Sequence, residues 1–119
     1  MSDFTGQFKS FTDSLGHAAQ SVMNKLDQWS FRMVVDNLKS TDYDVAKESI
    51  DQLTREKRPI GIPPLYFVSK LHPNLYIREL AVKALKEFGH DKEIEEVVAG
   101  KSVDDATRAL IDKYGNFRQ

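Results

Sequence analysis

The 119-residue chain has no cysteine, which excludes disulfide frameworks, thiolate metal sites and cysteine nucleophiles. No apolar run approaches the roughly 20 residues of a membrane-spanning helix, and no signal-like segment precedes the first polar residues. A cytoplasmic location is the expectation. No charge sign dominates either: 17 basic residues face 18 acidic ones, net −1, so no nucleic-acid partner is expected. His17, His72 and His90 are far apart, without a second histidine at ligand spacing, and are not read as metal ligands. Gly-rich phosphate loops, nucleophile elbows and zinc-protease motifs are missing, so neither cofactor nor catalytic residue is assigned. Sustained alternation of apolar and polar residues and Asn-Gly hairpin turns are missing too, which leaves an all-α fold.

What remains is a globular balance of 40% hydrophobic and 29% charged residues, enough for one domain with a real core. Charge is spread unevenly along the chain. Residues 59–90 are mildly basic and residues 91–119 mildly acidic. The acidic run Glu93, Glu95, Glu96, Asp104 and Asp105 reads as a solvated face.

Phe4, Phe8, Phe11, Leu15, Ala18, Val22, Leu26 and Trp29 follow one another in steps of three and four, a single helical stripe. A continuous helix over this stretch would be roughly 38 Å long. Its other face is rich in Ser, Thr and Gln, and Gly6 and Gly16 weaken it, so the stripe must dock on something. Three surfaces suit Phe4, Phe8, Phe11 and Leu15: the rest of this domain, as a capping helix; a partner protein; or a membrane surface. Trp29 is read as core rather than as a platform for stacking.

After Trp29 the pattern is one of short helices. Met33, Val34 and Leu38 continue one face with Trp29. Ser40, Thr41 and Asp42 offer caps for a helix carrying Val45, Ile50 and Leu53. The prolines of residues 59–64 forbid helix until about Pro64, and Leu65, Phe67, Val68 and Leu71 then form a short helix stopped by Pro73. Asn74 can cap a helix with Ile77, Leu80, Ala81, Ala84, Leu85 and Phe88, ended by Gly89. Asp91 opens a brief helix closed by Gly100. Ser102 with Asp105 resembles a capping box for the last helix. The stretch Arg55 to Tyr66 combines Arg55, Lys57 and Arg58 with Ile60, Ile62 and Tyr66 in stiff backbone, a composition suited to a recognition loop. With Arg78, these six are the candidate partner-binding residues.

Residues 77–89 align with 103–115 at an offset of 26, and five of six apolar positions stay apolar, Thr107 being the exception. A weaker copy runs from Val45 to Leu53. The segment Tyr76 to Gly89 resembles the second helix of a HEAT-type repeat. The short-repeat variety found among phycobilin lyases and related adaptor proteins is the nearest. Ile77, Arg78, Ala81, Ala84, Leu85 and Gly89 occupy its opening pair, small positions and terminator. The resemblance covers residues 28–115 and is weakest over 43–57, where Glu48 and Gln52 interrupt it. It implies a short right-handed α-solenoid of about three helix pairs (28–119) preceded by the amphipathic helix (1–27). It further implies a non-enzymatic adaptor or assembly factor whose partner is another protein or protein complex, with peripheral membrane contact through the N-terminal helix as an option. A bilin-lyase-like or phycobilisome and photosynthetic-complex assembly protein is the alternative. A DNA-repair role of the related helical-repeat kind is disfavoured by the charge.

Overall fold

Helix caps set the element boundaries in the computed structural model, which describes residues 4–20 and 24–115. Among these residues the structure is seven α-helices: α1 (Phe4–Gln20), α2 (Lys25–Asn37), α3 (Tyr43–Glu56), α4 (Ile62–Leu71), α5 (Leu75–Phe88), α6 (Asp91–Val98) and α7 (Val103–Tyr114). Asp42 Oδ1 accepts from the Asp44 and Val45 amides, Asn74 Oδ1 from those of Tyr76 and Ile77, and Ser102 Oγ from Asp105. Each satisfies amides that the first helical turn leaves without a partner. Gly89 terminates α5 with φ 77°, a left-handed conformation that favours glycine.

Two boundaries differ from the sequence pattern. The stripe from Phe4 to Trp29 is not one helix. Asn24 is in extended conformation (ψ 171°) and caps a new helix, its side chain accepting from the Asp27 amide at 2.8 Å. Val22 and the side chains of His17, Ala18 and Leu26 lie outside the described residues. The second difference is at the prolines. A 3₁₀ turn over Pro59–Gly61 leads into α4 at Ile62, so Pro63 and Pro64 sit in its first turn. They do not block it, because first-turn amides have no intrahelical acceptor to lose.

Helix α4 is the centre of the molecule. Every residue from Ile62 to Val68 is buried, the signature of a helix surrounded on all sides. It packs against α5, α7 and α1. Helix α1 docks through its phenylalanines, which converge on Phe67: centroid separations are 5.9 Å from Phe4, 5.6 Å from Phe8 and 4.9 Å, stacked, from Phe11. Burying each ring contributes roughly 1.5–3 kcal/mol, with about 0.5–1.5 kcal/mol more for each favourable ring pair. That outweighs the glycines in α1.

Helices α3 and α5 lie side by side and run parallel. The segments preceding them meet where His72 Nε2 lies 3.1 Å from Ser40 O. Their far ends meet at Gly61, where a Cβ would lie 3.6 Å from Leu53 Cδ2 and 3.7 Å from Phe88 Cζ. Helix α7 packs chiefly on α4 and α6. Its aligned position Thr107 is buried like its counterpart Ala81, and its hydroxyl is satisfied by Val103 O and Asp104 O. The result is an all-α helical bundle around one core that runs from Phe4 to Tyr114. Its radius of gyration is 13.0 Å, close to the ~13.5 Å of an equally long globular chain.

Candidate interaction surfaces

The residues singled out in the sequence separate into inside and outside. Phe4, Phe8, Phe11 and Leu15 are core side chains, so α1 presents its apolar stripe to α4 rather than to solvent. Ile60, Ile62 and Tyr66 are buried as well, because the proline-rich segment turns into α4 instead of looping outward. Burial raises the Tyr66 phenol above its ordinary value. These seven residues are therefore not presented at the surface.

The cations beside them do remain near the surface, with local partners. Arg55 reaches Glu48 at 3.5 Å, Arg58 lies 4.0 Å from Asp27 on α2, and Lys57 Nζ donates to Thr54 O at 3.4 Å. Lys57 ends α3 in the left-handed region, φ 51°, where a side chain costs energy that glycine would not. Arg78 is half-buried, and its Nη1 donates to His72 O at 2.6 Å. It holds the turn between α4 and α5.

That turn contains a buried histidine whose position in a His-Pro loop gave no sign of burial. His72 is fully buried, and the Asn74 amide donates to its Nδ1 at 3.0 Å. Nε2 therefore carries the proton and donates to Ser40 O at 3.1 Å. The ring meets Phe4 edge-on at 5.1 Å. Burial holds its pKa below the ordinary 6.5, opposed by the Ser40 carbonyl and assisted by the Arg78 charge. One side chain thus ties α1 to the turns preceding α3 and α5.

At the other end, Glu93 does not belong to a simple solvated face. The Tyr114 hydroxyl donates to Glu93 Oε1, and His90 and Lys113 approach the same carboxylate at 3.5 and 3.9 Å. The Tyr114 hydrogen bond chiefly holds the Glu93 carboxyl below its usual range, while burial first and Glu93 second raise the tyrosine. The arrangement fastens α6 to α7. Among the described residues no cluster of histidine, aspartate or glutamate could hold a metal ion, and no helix is long and apolar enough to cross a membrane.

Among the described residues, large exposed apolar side chains gather in two places, with Val82 on α5 besides. The first is α2, where Trp29 is 62% exposed and Met33 is exposed too. Because α2 restarts at Asn24, its buried positions are Phe31, Val34, Val35 and Leu38, spaced for one face, and Trp29 falls off it. Trp29 is therefore not a core residue, and Phe31 takes the place assigned to it. The sequence signal for the break was Asn24 followed three residues later by Asp27. Trp29 and Met33 border a groove of about 400 Å³ against Leu15 and Gly16 of α1. The second place is the shared N-terminal end of α3 and α5. Leu75 is 53% and Tyr76 68% exposed there, with Tyr43 and Val45 at the start of α3.

Compared with family models, curated proteins and solved structures, the chain matches none.

Proposed function

We propose that this chain is a non-enzymatic protein–protein interaction module, an adaptor or assembly factor, that binds its partner at the N-terminal ends of α3 and α5. The observation that carries the reading is the exposure of Leu75 and Tyr76 at the start of α5 and of Tyr43 and Val45 at the start of α3, two helices whose preceding segments meet at His72 and Ser40. Large amphipathic side chains, tyrosine above all, are the residues on which protein interfaces concentrate their binding energy. The platform beneath them is rigid: Asp42 and Asn74 cap the two helices, and His72 and Arg78 fasten the turns that precede them. Parallel second helices in successive pairs, α2–α3 and α4–α5, support a HEAT-like arrangement over that half of the chain. The third pair departs from it, since α7 packs chiefly on α4 and α6. Arg55, Lys57 and Arg58, at the opposite end of α3, extend the reading as a cationic flank.

The test is capture from the native source with three baits: the wild-type chain, Leu75→Ser/Tyr76→Ser, and Lys57→Glu/Arg58→Glu. All three should share one melting profile. Loss of the captured protein with the first variant supports the platform, and loss with the second adds the cationic flank. Equal capture by wild type and Leu75→Ser/Tyr76→Ser refutes the platform.

A further inference from the structure

One stripe of α2 carries Lys25, Gln28, Trp29, Arg32, Met33 and Asp36, and all six face the groove beside α1. Their spacing of three and one is that of a single helical face. The stripe's charges are placed against the interest of its own helix. Lys25 stands in the first turn, where the helix dipole favours an anion, and Asp36 in the last, which has no basic residue at all. Within the chain Asp36 pairs with Lys39 just past the helix and Asp27 gives the first turn its anion; Lys25 at one end and Asp36 at the other also suit a second α2 lying antiparallel.

We propose that this face is the two-fold interface of a homodimer in which α2 packs antiparallel on α2 of a second copy. Set antiparallel about the midpoint between Ser30 and Phe31, Lys25 of each chain meets Asp36 of the other. Trp29 meets Arg32, and Gln28 meets Met33. The symmetry repeats each contact, so the surface is complementary to itself. Opposite charges close both ends, while an indole with a guanidinium over its face fills the middle. In the single chain Asp36 is held by Lys39 at 2.9 Å with most of its side chain exposed, a partner it can exchange for Lys25 of the second copy. The groove has room on its α1 side: apart from its chain neighbours and its own helix backbone, a Cβ at Gly16 would meet nothing within 4 Å. A contact centred on one 13-residue helix, about 20 Å long, gives a dimer that forms with concentration rather than an obligate one. This face is distinct from the ends of α3 and α5, so the inference does not rest on the adaptor reading.

The experiment is sedimentation of the full chain from about 1 µM to about 1 mM, followed in parallel by the emission of Trp29, the only tryptophan. The mass should rise from one chain to two as the emission shifts to the blue. Trp29→Ser should weaken the dimer by at least about thirtyfold. Lys25→Asp alone and Asp36→Lys alone should each weaken it by about tenfold, more at low salt. The double variant Lys25→Asp/Asp36→Lys should restore it, because the reversed charges still meet their opposites. Melting temperatures within about 3 °C of wild type establish that all variants are folded. A mass of one chain at every concentration overturns the proposal. So does a Trp29→Ser variant that still dimerises, or a double variant no better than the singles.

Discussion

His72 makes the stability of this protein sensitive to mild acid. The buried ring is neutral in the folded chain, with the proton on Nε2 bound to Ser40 O and the lone pair of Nδ1 accepting from Asn74. Protonation would put a second donor against the Asn74 amide and a charge near Arg78. The folded pKa lies below the unfolded value of about 6.5, so the unfolded chain takes up a proton first. Stability is then fully present above pH 6.5 and declines as the pH falls from there toward the folded pKa. The slope for one proton is at most about 1.4 kcal/mol per pH unit. Glu93 does not confuse this window, since its depressed pKa is felt only below the carboxylate range.

The perturbation is His72→Asn. Asparagine keeps an acceptor near the Nδ1 position for the Asn74 amide, loses the Ser40 bond and cannot titrate. Leaving the half-buried Ser40 carbonyl unpaired costs about 1–2 kcal/mol, or a fall of roughly 4–8 °C in Tm for a domain of this size. Urea melts of both proteins from pH 8 to pH 5 provide the assay. At pH 8 the variant should be the less stable, and on acidification the gap should narrow as only the wild type loses stability. Parallel slopes for the two proteins would show that His72 is not the titrating group, whatever the other histidines contribute.

Two further outcomes follow from single contacts. Lys57→Gly relieves a left-handed residue at the end of α3 and should stabilise the chain by roughly 0.5–1 kcal/mol in urea melts; a loss of stability would show that the Lys57 side chain holds the α3 terminus. Tyr114→Phe removes the hydrogen bond that chiefly holds down the Glu93 carboxyl, so its NMR titration midpoint should move up toward 4.5. Since a depressed carboxyl pKa stabilises the fold above that range and loses its effect on acidification, the variant should also show a shallower loss of stability below pH 4.5. An unmoved midpoint would assign the depression to Lys113 and His90 instead.

Much of the architecture can be read from local chemistry. Asp42, Asn74, Ser102 and Gly89 mark helix ends because each acts on amides or backbone angles within three residues of itself. The apolar steps of α1, α5 and α7 likewise mark the faces they bury. What escapes such reading depends on neighbours distant in sequence. Three phenylalanines in α1 fit a membrane, a partner or a core equally well until Phe67 is placed beneath them. Trp29 continues the α1 stripe by count but leaves it in space, because Asn24 resets the helical phase. Ile60, Ile62 and Tyr66 read as a loop because prolines dominate their segment. The central position of α4 then buries them, while Arg55, Lys57 and Arg58 stay near solvent. The packing of α7 on α4 is likewise invisible in its alignment with α5, since both helices need the same apolar spacing whichever neighbour covers them.

Site-specific photo-crosslinking is the direct test of the proposed docking platform at the ends of α3 and α5. A photoreactive phenylalanine analogue is placed at Tyr76, and in a second protein at the exposed Glu95 of α6, in the native source. A discrete adduct with another protein is expected from position 76 and none from position 95. No adduct from position 76, or the same adduct from both, would contradict the proposed platform.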